Sequence, residues 1–245
     1  MGSENLIPKI HMTLNDIQTQ LRKLGNKERA KVLQRFFKTG PGEYAEGDVF
    51  LGIRVPELRK LAKEYEDINL KVVQQLLKSS LHEERLLALL ILVRSYARGN
   101  ESLRERIYKL YLKHTQFINN WDLVDVSAEH VVGHFLMDRS KAPLYKLAKS
   151  SVLWQRRISI MSTFHFIKRQ EFAETLKIAK MLISDEEDLI HKAVGWMLRE
   201  VGKRDLKAEE GFLKQHYKKM PRTMLRYSIE RFPEPKRQRY LKGKI

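Results

Sequence analysis

Trp121 and Asp125 are the residues of this chain whose types and spacing could most directly do chemistry. They bracket the stretch Trp121-Asp122-Leu123-Val124-Asp125. On a helix, a separation of i, i+4 puts the indole and the carboxylate on one face. The chain around them is strongly basic, with 47 Lys+Arg against 30 Asp+Glu and a formal net charge of +17. A carboxylate set among cationic helices can stabilise positive charge that develops on a ligand. The chemistry suggested is therefore chemistry on a polyanion, with DNA as the leading candidate. Asp122 points about 100° away from Trp121 on the same helix and could instead serve the helix N-terminus. A core tryptophan followed by a cap accounts for the same residues, and composition alone leaves both readings open.

Other residues extend the candidate set. Trp196 lies in Ala193-Val194-Gly195-Trp196-Met197-Leu198-Arg199-Glu200. Gly195 costs a helix about 1 kcal/mol relative to alanine, a cost usually offset by close packing or close ligand approach. Arg156 and Arg157 follow Trp154-Gln155 and could grip successive phosphates; a solvated helix face is the simpler alternative. Lys192, Arg199, Arg222 and Arg226 recur at helical spacings and could extend a basic stripe. The histidines lack metal-ligand spacing. His130 and His134 stand at i, i+4 without a His-Glu-x-x-His motif. There is no P-loop, dinucleotide fingerprint or nucleophile elbow. Neither a metal nor a cofactor is expected.

The elements that must position these residues read as almost entirely helical. Apolar residues recur at i, i+3, i+4 in segments such as Val72-Val73-Leu76-Leu77 and Leu103-Ile107-Leu110-Tyr111. The pattern predicts helices over 13–24, 27–38, 55–65, 69–79, 83–98, 101–114, 121–137, 140–149, 153–169, 171–182, 186–203, 206–217 and 221–231. Thr39–Gly47, with its Gly-Pro-Gly sequence, is the one clear loop. A loose repeat runs through the later helices. Arg85, Asp122, Arg156, Lys192 and Arg222 open long apolar helices at spacings of 37, 34, 36 and 30 residues. Each unit looks like a helix pair that cannot bury its apolar face alone. Stacking such antiparallel pairs gives an all-α, HEAT-like α-solenoid with a concave basic cleft; an irregular helical bundle is the alternative. The 245 residues are 42% hydrophobic, enough for one domain over 13–245. Residues 1–12 have an odd composition and read as a tag-like or disordered lead-in. No apolar run approaches the ~20 residues that span a bilayer. The absence of cysteine excludes disulfides and fits a reducing compartment.

Five segments, taken together, carry a resemblance. They are Phe50-Leu51-Gly52-Ile53-Arg54-Val55-Pro56-Glu57-Leu58-Arg59, Trp121-Asp122-Leu123-Val124-Asp125, Trp154-Gln155-Arg156-Arg157, Ala193 to Glu200, and Arg222-Thr223-Met224-Leu225-Arg226-Tyr227. In order and spacing the chain resembles the AlkD-type DNA glycosylases of the DNA alkylation repair family. The resemblance implies Asp125 as the catalytic carboxylate, Trp121 and Trp196 as its aromatic partners, and Arg156 as a contact to the DNA backbone. Phe36 falls where such enzymes can carry a tyrosine, so the ring remains and the hydroxyl is lost. The implied activity is hydrolysis of the N-glycosidic bond of N3- or N7-alkylated purines in double-stranded DNA, by a monomeric, cofactor-free, cytoplasmic and nucleoid-associated enzyme with no membrane contact. The alternatives are a non-catalytic DNA-structure-binding protein on the same scaffold and a helical-repeat adaptor for an acidic partner.

Overall fold

The computed structural model describes residues 12–245. The lead-in expected at 1–12 therefore lies, apart from Met12, outside the described residues. Among the described residues the fold is all-α, and an isolated bridge between Val49 and Leu81 is the one extended pairing. The chain forms two compact units, one ending at Ile91 and one running from Leu92 to Ile245.

The first unit contains α1 (Leu14–Leu24), α2 (Lys27–Phe36), α3 (Val55–Glu64), α4 (Leu70–Leu77) and the start of α5 (His82–Arg98). Thr13 and Asp16 form a capping box that starts α1. Asn26 caps α2 by accepting from the Arg29 N–H. The apolar stripes close on Ile17, Leu21, Leu58, Val73, Leu76 and Leu77, all with no exposed surface. The stretch between the Gly-Pro-Gly loop and α3 is fastened by buried charge as well as by the packing of Phe50 and Ile53. Glu83 accepts the N–H groups of Leu51, Gly52 and Ile53 at 2.8, 2.7 and 3.1 Å. Asp48 pairs with His82 Nδ1 at 3.0 Å and with Arg85. Burial pushes the Asp48 carboxyl up, but His82 and Arg85 outweigh it and hold the group below its ordinary value. The His82 ring lies 4.3 Å from Phe50 and 5.3 Å from Phe37. Gly52 sits at φ +81°, and a Cβ there would lie 2.1 Å from the Asn26 carbonyl oxygen, so no side chain fits.

The second unit runs through α6 (Glu101–Lys113), α7 (Trp121–Asp125), a π segment (Glu129–Gly133) leading into α8 (His134–Leu136), α9 (Ala142–Ala148), α10 (Leu153–Ser162), α11 (Phe164–Ile167), α12 (Ala173–Met181), α13 (Asp188–Gly202), α14 (Leu206–His216), α15 (Arg222–Ser228) and α16 (Glu234–Leu241). α9 packs on α10, and α12 on α13. Each pair is joined by a short turn and is therefore antiparallel. Within the unit, α10 packs against both α7 and α13, and α15 packs on α13. α7, α10, α13 and α15 thus form a central row. Gly195 permits the last of these contacts. A Cβ on it would stand 2.5 Å from both the Met224 carbonyl oxygen and the Tyr227 Cβ. Of the two roles offered for Gly195, the structure shows close packing.

Three differences from the sequence pattern have physical causes. The helix predicted over 121–137 turns at Val126–Ser127 before the π segment. There the Ser127 hydroxyl donates to the Leu123 carbonyl at 2.5 Å, competing with the backbone ladder. The helix predicted over 153–169 breaks at Thr163 for the same reason, as Ser162 and Thr163 donate to the carbonyls of Ile158 and Ile160 at 2.6 and 2.7 Å. Helix α16 escapes the pattern because Glu234–Leu241 buries only Tyr240; Pro235 in its first turn is the signal that was present.

Glu209 on α14 is 2% exposed, and its Oε1 has no hydrogen-bond partner. Burial first, then Glu210, push its carboxyl up to about 8 from 4.5. The folded state therefore holds this proton more tightly than the unfolded chain. Its contribution to stability is full below pH 4.5 and is lost as pH climbs to about 8. Glu209→Gln should raise the melting temperature at pH 9 by about 3 °C or more and leave it nearly unchanged at pH 5, as thermal unfolding at the two pH values will show. Gly195→Ala should lower the melting temperature at both.

Candidate active site

α7 is short because its start and end are both set by side chains. Asn120 precedes it, accepting the Trp121 N–H at 2.8 Å, and Asp122 Oδ1 accepts the Leu123 N–H at 2.8 Å. Asp122 thus serves the helix N-terminus. Asp125, at the other end, meets Arg157 of α10 in a bidentate pair. Arg157 Nε donates to Oδ1 at 2.9 Å and Nη2 to Oδ2 at 2.8 Å. Its remaining Nη1 donates to the Leu189 carbonyl of α13 at 2.6 Å. One guanidinium therefore ties three neighbours of the central row together. Arg157 is buried, and the Asp125 side chain keeps 16% of its surface exposed. Burial raises the Asp125 carboxyl, Arg157 pulls it back, and Asp122 adds a smaller rise. The net result lies above the ordinary value of 3.8.

Arg156 points elsewhere. Its Nε and Nη2 reach Asp185 at 2.6 and 3.2 Å, and its Nη1 donates to the carbonyls of Ser150 and Ser151 at 3.0 Å each. The two adjacent guanidiniums thus serve separate carboxylates. Lys192 pairs with Asp188 at 2.7 Å, and Arg199 pairs with Glu230. Arg222 and Arg226 are exposed on α15, and Arg222 donates to the Leu241 carbonyl at 2.8 Å. Phe36 belongs to the first unit. It is 62% exposed at the end of α2 and edge-on to Phe37 at 5.1 Å.

The three tryptophans divide. Trp154 is buried in the core, whereas Trp121 and Trp196 are half-buried. Trp196 stands seven residues after Leu189 on α13, on the same face and about 10 Å further along the axis. Its Nε1 donates to Glu200 Oε1 at 3.3 Å, and its ring lies 6.1 Å from Phe164. Sequence reasoning missed the charges here. Glu129 is buried and pairs with Lys168 at 2.6 Å. Its spacing from Trp121 and Asp125, at i+8 and i+4, was the signal that could have found it.

With this geometry in place, the comparisons converge. The family model for DNA alkylation repair enzymes matches residues 17–232, and the chain belongs to that family. No curated protein sequence matches it. Its fold is shared by solved structures, among them two of the same kind. One is described as a "predicted DNA alkylation repair enzyme" from Enterococcus faecalis, with a TM-score of 0.65, 18% identity, and coverage of 86% of this chain and 97% of that one. The other is AlkD2 from Streptococcus mutans, with a TM-score of 0.53, 18% identity, and coverage of 84% and 98%. At such identity the likeness speaks for the all-α architecture. Among the described residues, no helix is long and apolar enough to cross a membrane.

The Arg157 fork generates its own test. Arg157→Ala leaves Asp125 buried without its countercharge, and unfolding in urea should show a loss of about 3–5 kcal/mol. Asp125→Asn retains the hydrogen-bonding shape and should lose less.

Proposed function

We propose that this family member is a monofunctional alkylpurine DNA glycosylase, hydrolysing the N-glycosidic bond of N3- or N7-alkylated purines in double-stranded DNA. The observation that carries the reading is the Asp125 carboxylate, fixed bidentate by Arg157 on the helix that also bears Trp121. A purine alkylated at N3 or N7 is cationic, so it takes the electron pair of the breaking bond and leaves neutral. It needs little help from a general acid. Positive charge develops instead on the deoxyribose, as in an oxocarbenium-like transition state. An ionised carboxylate held in place stabilises that charge without having to reorganise. The same carboxylate can orient the water whose oxygen joins the sugar and whose proton is released. Arg157 serves this chemistry by position and by charge. It fixes the carboxylate and opposes the effect of burial, which favours the neutral acid. Trp121 and Trp196 would flank the cationic nucleotide, where an indole face attracts positive charge. No lysine is assigned to Schiff-base formation, so strand cleavage is not part of the reaction. The enzyme would act as a cytoplasmic, nucleoid-associated monomer.

A non-catalytic DNA-structure-binding protein could use the same ion pair purely as a fastener, and an excision assay separates the two. Wild-type protein should release 7-methylguanine and 3-methyladenine from alkylated duplex DNA. Asp125→Asn should lower kcat about 10²-fold or more while duplex binding persists; wild-type excision by the asparagine variant would overturn the assignment. Because the Asp125 carboxyl lies above 3.8 and works ionised, kcat should fall on the acid side at a pH above that of a free aspartate. The residual activity of Asp125→Asn should lack this limb. Trp196→Ala should reduce excision with little change in melting temperature. A tryptophan packed in the core would instead cost about 3–5 kcal/mol.

A further inference from the structure

Trp196 is half-buried on α13, so the plane of its ring is not dictated by a closed core. The terminal torsion of a tryptophan is broad, with no single preferred angle, and contacts must choose it. An indole has one hydrogen-bond donor and no acceptor. Here that donor, the Nε1–H, goes to Glu200 Oε1 at 3.3 Å. The spacing favours the exchange. At i, i+4 the two residues share a face, and a long side chain on a helix leans back over the turn before it. The neighbouring ring is Phe164 of α11, with centroids 6.1 Å apart.

Glu200 is buried more deeply than its ion pairs require. Lys203 reaches its Oε1 at 2.5 Å and Arg204 its Oε2 at 3.1 Å. Those two cations keep 40% and 27% of their side chains exposed, whereas that of Glu200 keeps 8%. Pairs at i+3 and i+4 form as well in solvent and are worth little there, so they give no reason to bury the acid. Nor does the helix end. Arg204 Nη1 already donates to the Glu200 carbonyl at 2.9 Å, and that carbonyl is met without the carboxylate. What the burial accomplishes is to bring the carboxylate to the Trp196 Nε1–H. Burial pushes the Glu200 carboxyl up, but Lys203, Arg204 and Trp196 outweigh it and hold the group below its ordinary value. The acceptor is therefore ionised at neutral pH, and an ionised acceptor makes the stronger hydrogen bond.

We propose that Glu200 is a positioning residue for Trp196, holding the indole at the angle at which its ring meets the alkylated nucleotide. The inference rests on the reading that Trp196 flanks that nucleotide, and it deepens that reading. The ring must be aimed as well as present, because a cation is attracted to the face of an indole and not to its edge. A displacement of about 1 Å in such a group can cost about 10²-fold in rate. Lys203 and Arg204 act one step further out, by keeping the carboxylate charged.

The test reads the indole directly. The chain has 3 tryptophans, which give three indole N–H signals in the NMR spectrum of isotope-labelled protein; the one lost in Trp196→Phe belongs to Trp196. In Glu200→Ala that signal should move upfield and its relaxation should report faster motion, while the other two stay in place. Excision by Glu200→Ala should show kcat lower by about 10- to 10²-fold with duplex affinity retained. Glu200→Gln, which keeps an acceptor for Nε1, should restore most of the rate and the signal. Should Glu200→Ala melt early, Glu200→Asp keeps the charge but withdraws the carboxylate from Nε1, and should loosen the indole in the same way. A folded variant whose Trp196 signal is that of the wild type overturns the proposal. So does a loosened indole with wild-type kcat. The two readings fail separately. A wild type without excision whose indole loosens in the variants sinks the glycosylase and keeps Glu200 as the holder of the ring, and an active wild type with an unmoved signal does the opposite.

Discussion

The second unit depends on a charge that cannot be left alone. Asp125 is taken largely out of water, and an unpaired carboxylate there would cost several kcal/mol. Arg157 meets both of its oxygens and then spends its last fork position on the Leu189 carbonyl. The requirement to satisfy one acid thereby fixes the spacing of three helices in the row. The same bond sets the electrostatics of the site, since the guanidinium opposes the neutralising effect of burial. Structure and proposed chemistry share one interaction, so neither can drift without the other.

The first unit applies the same logic to a different end. Between its loop and α3 it buries Phe50 and Ile53, and carboxylates hold the same stretch. Glu83 collects three successive N–H groups, and Asp48 anchors His82 and Arg85 beneath two phenylalanines. Polar fastening of this kind adds a single defined path of the chain to the apolar packing. The family's segment from Phe50 to Arg59 lies on that path.

Much of this was legible in the sequence because helices announce themselves through apolar period. Thirteen expected segments all contain helix, and the Gly-Pro-Gly loop falls between α2 and α3. Helix interruptions were not legible, because Ser127 and Thr163 look like ordinary helix residues until their hydroxyls choose a carbonyl. The site was half legible. The shared face of Trp121 and Asp125 follows from spacing alone, but which of Arg156 and Arg157 meets Asp125 does not. Adjacent residues point about 100° apart, and only packing decides which one faces α7. Long cations are likewise interchangeable in sequence, and whether each ends on a carboxylate, a carbonyl or solvent is decided by its neighbours.

The π segment at Glu129–Gly133, which follows α7 after the turn at Val126–Ser127, adds a second change of index between α7 and α8. A turn closed at i→i+5 accommodates one residue more than an α turn. Every side chain after it is therefore rotated by about 100° relative to an uninterrupted helix. Trp121 and Asp125 take their orientation from α7. Phe135 and Leu136, which bury themselves in the unit, take theirs from α8. Loss of a single residue within the wide turn would keep the chain helical but swing one helix against the other. Such a deletion forces a choice between a packed interior and a correctly aimed carboxylate.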